Sequence, residues 1–151
     1  YGYQYYNNGG MAEYVRYVKN SVITRVPEEM TVEQALLIEP FGCSKHAVDR
    51  AEITNKDVVV ISGAGTLGLG MITYARMKNP KLLIVLDMQE NRLEKAKEFG
   101  ADLVFNPGQC DIDKEIKALL MDMAVTFILK QPVIRQVYVR VLRSFGSSVP
   151  S

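Results

Sequence analysis

The chain has no tryptophan, one histidine and two cysteines among its 151 residues. Two thiols cannot build a disulfide framework or a closed four-cysteine zinc site. That scarcity points to a reducing, cytoplasmic setting. An excess of one charge is also missing, because 18 Lys and Arg stand against 17 Asp and Glu, a net of +1. No overall field draws the chain to nucleic acid or to an anionic membrane. No apolar run approaches the roughly 18 residues that cross a bilayer. Tyr1-Gly2-Tyr3 is neither an initiator Met nor a basic-then-apolar leader, so no secretory signal is expected. The chain is expected to be a piece of something longer. Internal repeats are absent. What remains is an ordinary globular mixture, 48% apolar and 23% charged, long enough for one domain or one and a fragment of another.

The amino-terminal fifth carries few signals. Asn7-Asn8-Gly9-Gly10 marks a turn. Met11 to Lys19 reads as a short strand. Thr31 followed by Gln34 has the form of a capping box. A helix from about Val32 would turn Ala35, Leu36 and Ile38 inward, and Pro40 should break or kink it. Gly42 to Glu52 reads as a second helix, with Ala47, Val48 and Ala51 at helical spacing.

The middle of the chain is more legible. Val58-Val59-Val60-Ile61 is a continuous β-branched run, the pattern of a strand buried on both faces in a parallel sheet. Leu67 to Lys78 follows as a helix, and Leu82 to Leu86 as a second buried strand. Asn91 to Phe99 is a helix with Gly100 at its C-cap. Leu103 to Phe105 is a third strand, and Ile112 to Met121 a third helix. Strands alternating with helices imply βαβ units, so the fold class is α/β with a doubly wound parallel sheet.

Gly63, Gly65 and Gly68 form G-x-G-x-x-G between the first strand and its helix, with Thr66 and Leu67 completing the turn. Asp87 lies nineteen residues past Gly68, at the end of the next strand. Strand, helix and acid together make this a dinucleotide fingerprint. Gly63 permits the tight turn, Gly65 lets a pyrophosphate approach the backbone, and Gly68 lets helix and strand pack closely. Asp87 would accept hydrogen bonds from the ribose hydroxyls and repel a 2′-phosphate, which favours NAD over NADP. Arg92 either stacks on the adenine or is a solvated helix residue. Tyr74 and Lys78 have the spacing of a short-chain reductase pair, but they sit in the helix after the fingerprint, too early for a substrate site.

Four segments carry a resemblance to the zinc-containing medium-chain alcohol dehydrogenases, within them to the sorbitol, threitol and threonine dehydrogenase branch. They are residues 9–14, residues 37–43, the fingerprint with Asp87, and residues 99–106. The resemblance implies a GroES-like catalytic domain split around a Rossmann cofactor domain. Residues 1–30 would then be the remnant of the first GroES-like segment and its connection, and 31–123 the first half of the NAD-binding Rossmann domain. It implies NAD, zinc in the full-length protein, an alcohol or polyol as substrate, and a homo-oligomer. Glu39, in its Glu-Pro setting, matches the position of a zinc ligand or of a carboxylate bonded to the zinc water. The other zinc ligands would be absent from this chain. Cys43 and Ser44 either line the nicotinamide pocket or pack the helix. His46 reads as a structural or surface histidine, and Cys110 as a plain thiol in a turn. The function implied is hydride transfer from a secondary alcohol or polyol to NAD, with the chain as written inactive alone. The alternative is a non-catalytic dinucleotide-binding module.

The tail departs from this pattern. Ala124 to Ser151 holds four basic residues and no acid, whereas the preceding 123 residues hold 14 basic and 17 acidic. The family's fourth strand, typically Cys-Asp-Val-x-x-Glu-Ala-Thr-Gly, is missing as written. Codons shifted by one base from Met123 onward can spell Gly-Cys-Asp-Val-Tyr-Ile-Glu-Ala-Thr-Gly. Residues 124–151 are therefore expected to be a frame-slipped tail that leaves a sheet edge bare and packs poorly.

Overall fold

The computed structural model describes residues 10–112, 114 and 115, and the backbone of 125–130. The chain divides into two units, Tyr1–Ala35 and Leu36–Ser151.

In the first unit, residues 10–30 are bends, turns and irregular chain. The strand expected over Met11 to Lys19 does not form. Met11 is 103% and Tyr14 91% exposed, and strand propensity has no ladder or buried face here on which to act. The capping box does form. Thr31 N–H donates to Gln34 Oε1 at 3.0 Å, and Gln34 N–H donates to Thr31 Oγ1 at 3.3 Å. The helix that it starts, α1 (Val32–Ala35), is a single turn with no buried residue.

In the second unit, α2 (Ile38–Arg50) contains Pro40 as its third residue. The expected break is therefore corrected to a helix start. First-turn N–H groups have no intrahelical acceptor, so proline removes no helical bond there. Leu36 and Ile38, expected inward, are 71% and 50% exposed. The buried face of α2 is instead Ser44, Ala47 and Val48, about two turns further along.

β1 (Val58–Ser62), β2 (Leu82–Leu86), β3 (Leu103–Phe105) and β4 (Val125–Lys130) form one sheet in the order β3-β2-β1-β4. All its pairings are parallel. Val59, Ile61, Leu83 and Val85 fill one face with Val48 of α2, with Ile72 of α3 (Thr66–Met77) and with Ala96 of α4 (Glu90–Glu98). Val58, Val60 and Ile84 are buried on the opposite face. Burial on both faces is why these strands read as unbroken apolar runs. Gly100, at φ 107°, ends α4, and Ala101 N–H closes the turn on Ala96 O at 3.0 Å.

The expected bare edge beside β1 is corrected too, because Val125–Lys130 lies there as β4. Val-Thr-Phe-Ile-Leu is a β-forming run, and the open edge of β1 is a template for it. The β1–β2 register is continuous, whereas β1–β4 shifts between Val58 and Val59. The expected third helix begins with Ile112, and Glu115 N–H bonds Asp111 O at 3.0 Å. The rest of that helix, and the side-chain packing expected of the tail, lie outside the described residues.

Candidate functional site

The carboxyl ends of β1 and β2 meet the amino terminus of α3. Three glycines shape the turn there, each for a separate reason. Gly63 has φ 101°, a left-handed conformation that L side chains rarely adopt. Gly68 faces the Gly63 carbonyl so closely that a β-carbon would sit 1.9 Å from that oxygen. Gly65 is different, having ordinary extended angles (φ −74°, ψ −170°) and nothing within 4 Å of where a β-carbon would be. Neither backbone strain nor packing requires glycine at 65. The space that it leaves lies at the N-cap of α3, where no side chain caps the helix. Such a terminus presents N–H groups and a partial positive charge.

Asp87 closes the other side. Its side chain is only 8% exposed. Oδ2 accepts from Ala64 N–H at 2.8 Å, and Oδ1 accepts from Gln89 N–H at 2.9 Å. The carboxylate is thus tied to the glycine turn itself. Each oxygen keeps a lone pair for a further donor. Arg92 Nη1 lies 3.8 Å from Asp87 Oδ2, and its side chain is 48% exposed. A cradle that a β-carbon would fill, an open helix terminus and a fixed carboxylate fit a dinucleotide whose diphosphate rests on the turn.

Glu39 and Cys43 share one face of α2. The Cys43 thiol donates to Glu39 Oε1 at 3.2 Å, and this bond to a carboxylate, aided by slight burial and the nearby charge, pushes the thiol above its ordinary pKa. Ser44 points the other way. It is fully buried, with Oγ 3.0 Å from Pro40 O and 2.9 Å from Leu67 O. Ser44 therefore ties α2 to the glycine-turn helix. Gly70 completes that approach, because a β-carbon there would meet Ser44 Oγ at 2.6 Å. Among the described residues no group of three or more His, Cys, Asp and Glu lies together to hold a metal ion. Glu39 and Cys43 offer one oxygen and one sulfur, two donors short of a tetrahedral zinc site, so the described residues do not fit zinc by themselves.

The remaining sequence candidates are placed elsewhere. His46 is exposed on α2. Tyr74 packs edge-on against Phe41, with ring centroids 6.4 Å apart, and Lys78 pairs with Asp49 at 3.1 Å. That pair tightens the α2–α3 contact. The Cys110 thiol donates to Asn106 O at 3.4 Å. Sequence reasoning missed the role of Asn106. Its Nδ2 donates to Glu90 Oε1 at 2.6 Å and to Met88 O at 3.2 Å, joining the ends of β2 and β3. The Asn-Pro-Gly turn after β3 was the available signal.

A parallel sheet in the order 3-2-1-4 with this turn after β1 is the Rossmann class of nucleotide-binding fold. The zinc-binding dehydrogenase family matches residues 66–150. The chain is similar to erythritol/L-threitol dehydrogenase of Mycolicibacterium smegmatis, 41% identical over 79% of this chain and 33% of that protein. Galactitol-1-phosphate dehydrogenase from Escherichia coli superposes with a TM-score of 0.68, at 31% identity over 82% of this chain and 35% of that one. An alcohol dehydrogenase from E. coli CFT073, solved with NADH, gives a TM-score of 0.62 at 32% identity, over 70% of this chain and 31% of that one. The chain belongs to the zinc-binding dehydrogenase family. It spans about a third of the length of these relatives. Among the described residues no helix is long and apolar enough to cross a membrane.

Proposed function

We propose that the chain is the NAD-binding part of a zinc-type dehydrogenase that oxidises a secondary alcohol or polyol. The observation that carries this reading is the space at Gly65, which the fold does not need and a diphosphate would fill. Gly63, Gly65, Thr66, Leu67 and Gly68 hold the diphosphate, Asp87 the adenosine ribose, and Arg92 the adenosine flank. The bound nicotinamide supplies the hydride acceptor. Glu39 contributes one carboxylate toward zinc, with the remaining donors supplied from outside this chain, and Cys43 donates a hydrogen bond to that carboxylate. The relative solved with NADH and the relatives named as polyol dehydrogenases support the reading. Residues 1–30 are read as the end of a GroES-like segment, and the whole protein as a cytoplasmic homo-oligomer. The test is titration of the chain with NAD beside its Gly65→Val variant. Binding in the first and loss in the second is expected, and equal affinities would refute the reading.

The tail is read as a frame slip near Met123. Its support is the abrupt loss of acidic residues after that point and the coherent codon-shifted reading, whereas β4 seated beside β1 and a family match that runs to residue 150 count against it. Sequencing the gene across this point tests it, and an uninterrupted frame confirmed at the DNA and peptide levels would overturn it. The alternative reading is a module that binds the dinucleotide without turnover. The coding sequence upstream discriminates, because a turnover enzyme requires zinc-binding Cys and His-Glu residues there.

A further inference from the structure

The outer wall of the adenosine half holds a second carboxylate that the fingerprint does not use. Glu90 opens α4, three residues after Asp87. Its Oε1 accepts from Asn106 Nδ2 at 2.6 Å, and the same nitrogen donates to Met88 O at 3.2 Å. Glu90 Oε1 therefore lies no more than 5.8 Å from the carbonyl of the residue that follows Asp87. Asn106 itself follows β3, whose backbone meets the end of β2 through Asp87 N–H to Phe105 O at 3.3 Å. The carboxylate is thus anchored by a side chain from the neighbouring strand end. An acid at the start of a helix is commonly explained by the helix dipole alone. A dipole partner does not need a side-chain tether from another strand.

We propose that Glu90, held by Asn106, is a second specificity-determining carboxylate that works with Asp87 to exclude a 2′-phosphorylated cofactor. The inference rests on the dinucleotide reading above. A ribose on Asp87 carries its 2′-oxygen to this corner, and a phosphate there would face two fixed negative charges. Arg92 is the one cation among the described residues that pairs with Asp87, and it is half exposed. Removing Asp87 alone frees Arg92 toward a 2′-phosphate but leaves Glu90 opposed to it. That opposition is Coulombic, so it weakens with distance and is screened by salt.

The experiment titrates NAD and NADP into the intact chain and its Glu90→Gln, Asp87→Ser and double variants. Glu90→Gln keeps an oxygen for Asn106 and removes only the charge. It is expected to improve NADP binding several-fold relative to NAD at low salt, with the gain shrinking at high salt. Asp87→Ser alone is expected to leave NAD preferred, and the double variant to bring the two cofactors near parity. An unchanged NAD-to-NADP ratio in Glu90→Gln, or parity in Asp87→Ser alone, overturns the proposal while leaving the NAD site standing. Failure of the unaltered chain to bind NAD overturns both.

Discussion

Replacing Gly65 by valine separates what the fold needs from what a ligand needs. In the folded chain an added β-carbon meets nothing within 4 Å, and the backbone angles there suit any L residue. Valine is a poorer N-cap than glycine by about 0.5–1.5 kcal/mol. The smaller freedom of its unfolded chain returns about 0.4–1 kcal/mol. The unfolding midpoint should therefore barely move. The ligand side of the comparison is large. A branched side chain in that space lifts the diphosphate off the α3 amides. Two hydrogen bonds to a charged group, at about 1.5–3 kcal/mol each, amount to about 3–6 kcal/mol. That is a loss of roughly 100-fold to 20,000-fold in NAD affinity. Gly68→Ala is the matched control. Its β-carbon would lie 1.9 Å from a backbone oxygen, so the turn must move, at a cost of about 1–3 kcal/mol or more. Circular dichroism during urea unfolding, together with calorimetric NAD titration, reads both effects. Gly65→Val binding NAD as tightly as the unaltered chain, or unfolding as early as Gly68→Ala, would refute the reasoning.

The other expectations concern single groups. Asp87→Ala removes the acceptor of the buried Ala64 N–H, so it should cost about 1–3 kcal/mol of stability and also narrow the gap between NAD and NADP, both measurable on the same sample. Glu39→Gln should bring the Cys43 thiol back toward its ordinary pKa, so Cys43 in that variant should react faster with iodoacetamide at mildly alkaline pH, as followed by peptide mass spectrometry. An unchanged rate would mean that the thiol–carboxylate bond is not populated in solution. Gly70→Ala should lower the unfolding midpoint, because its β-carbon would strike Ser44 Oγ at 2.6 Å; a midpoint equal to the unaltered chain would show that α2 and α3 pack more loosely. Limited proteolysis should cleave after Met123 before it reaches the strands from Val58 to Phe105, and a tail as resistant as β1 would count against the frame slip.

The parts of this fold legible in the sequence are those set by neighbours along the chain. Thr31 and Gln34 are three residues apart, and their capping box formed as read. The β1 and β2 runs announced burial on both faces because every residue, not every second one, is apolar. Where the determinant is distant, the sequence was mute or misleading. Residues 11–19 carry strand propensity, but propensity without a paired neighbour makes no strand. Pro40 reads as a breaker until its place in the first turn is known. Ser44 looked like a pocket residue or a packing residue, and only the approach of α3, through the Leu67 carbonyl and Gly70, decides for packing. The tether from Asn106 to Glu90 spans sixteen residues and exists only because β3 lies beside β2. The bond from Ala64 to Asp87 has a similar span, but there the spacing of one strand, one turn and one helix foretells that the two ends meet.

The central claim is that a dinucleotide lies on the turn between β1 and α3. Amide chemical-shift mapping of the nitrogen-15-labelled chain during an NAD titration tests it most directly. The largest changes are expected at Gly65, Thr66, Leu67 and Gly68, whose N–H groups would face a diphosphate on the turn, with a second group at Asp87 and Gln89. Saturable NAD binding that leaves the turn amides unmoved and shifts another part of the chain would contradict it.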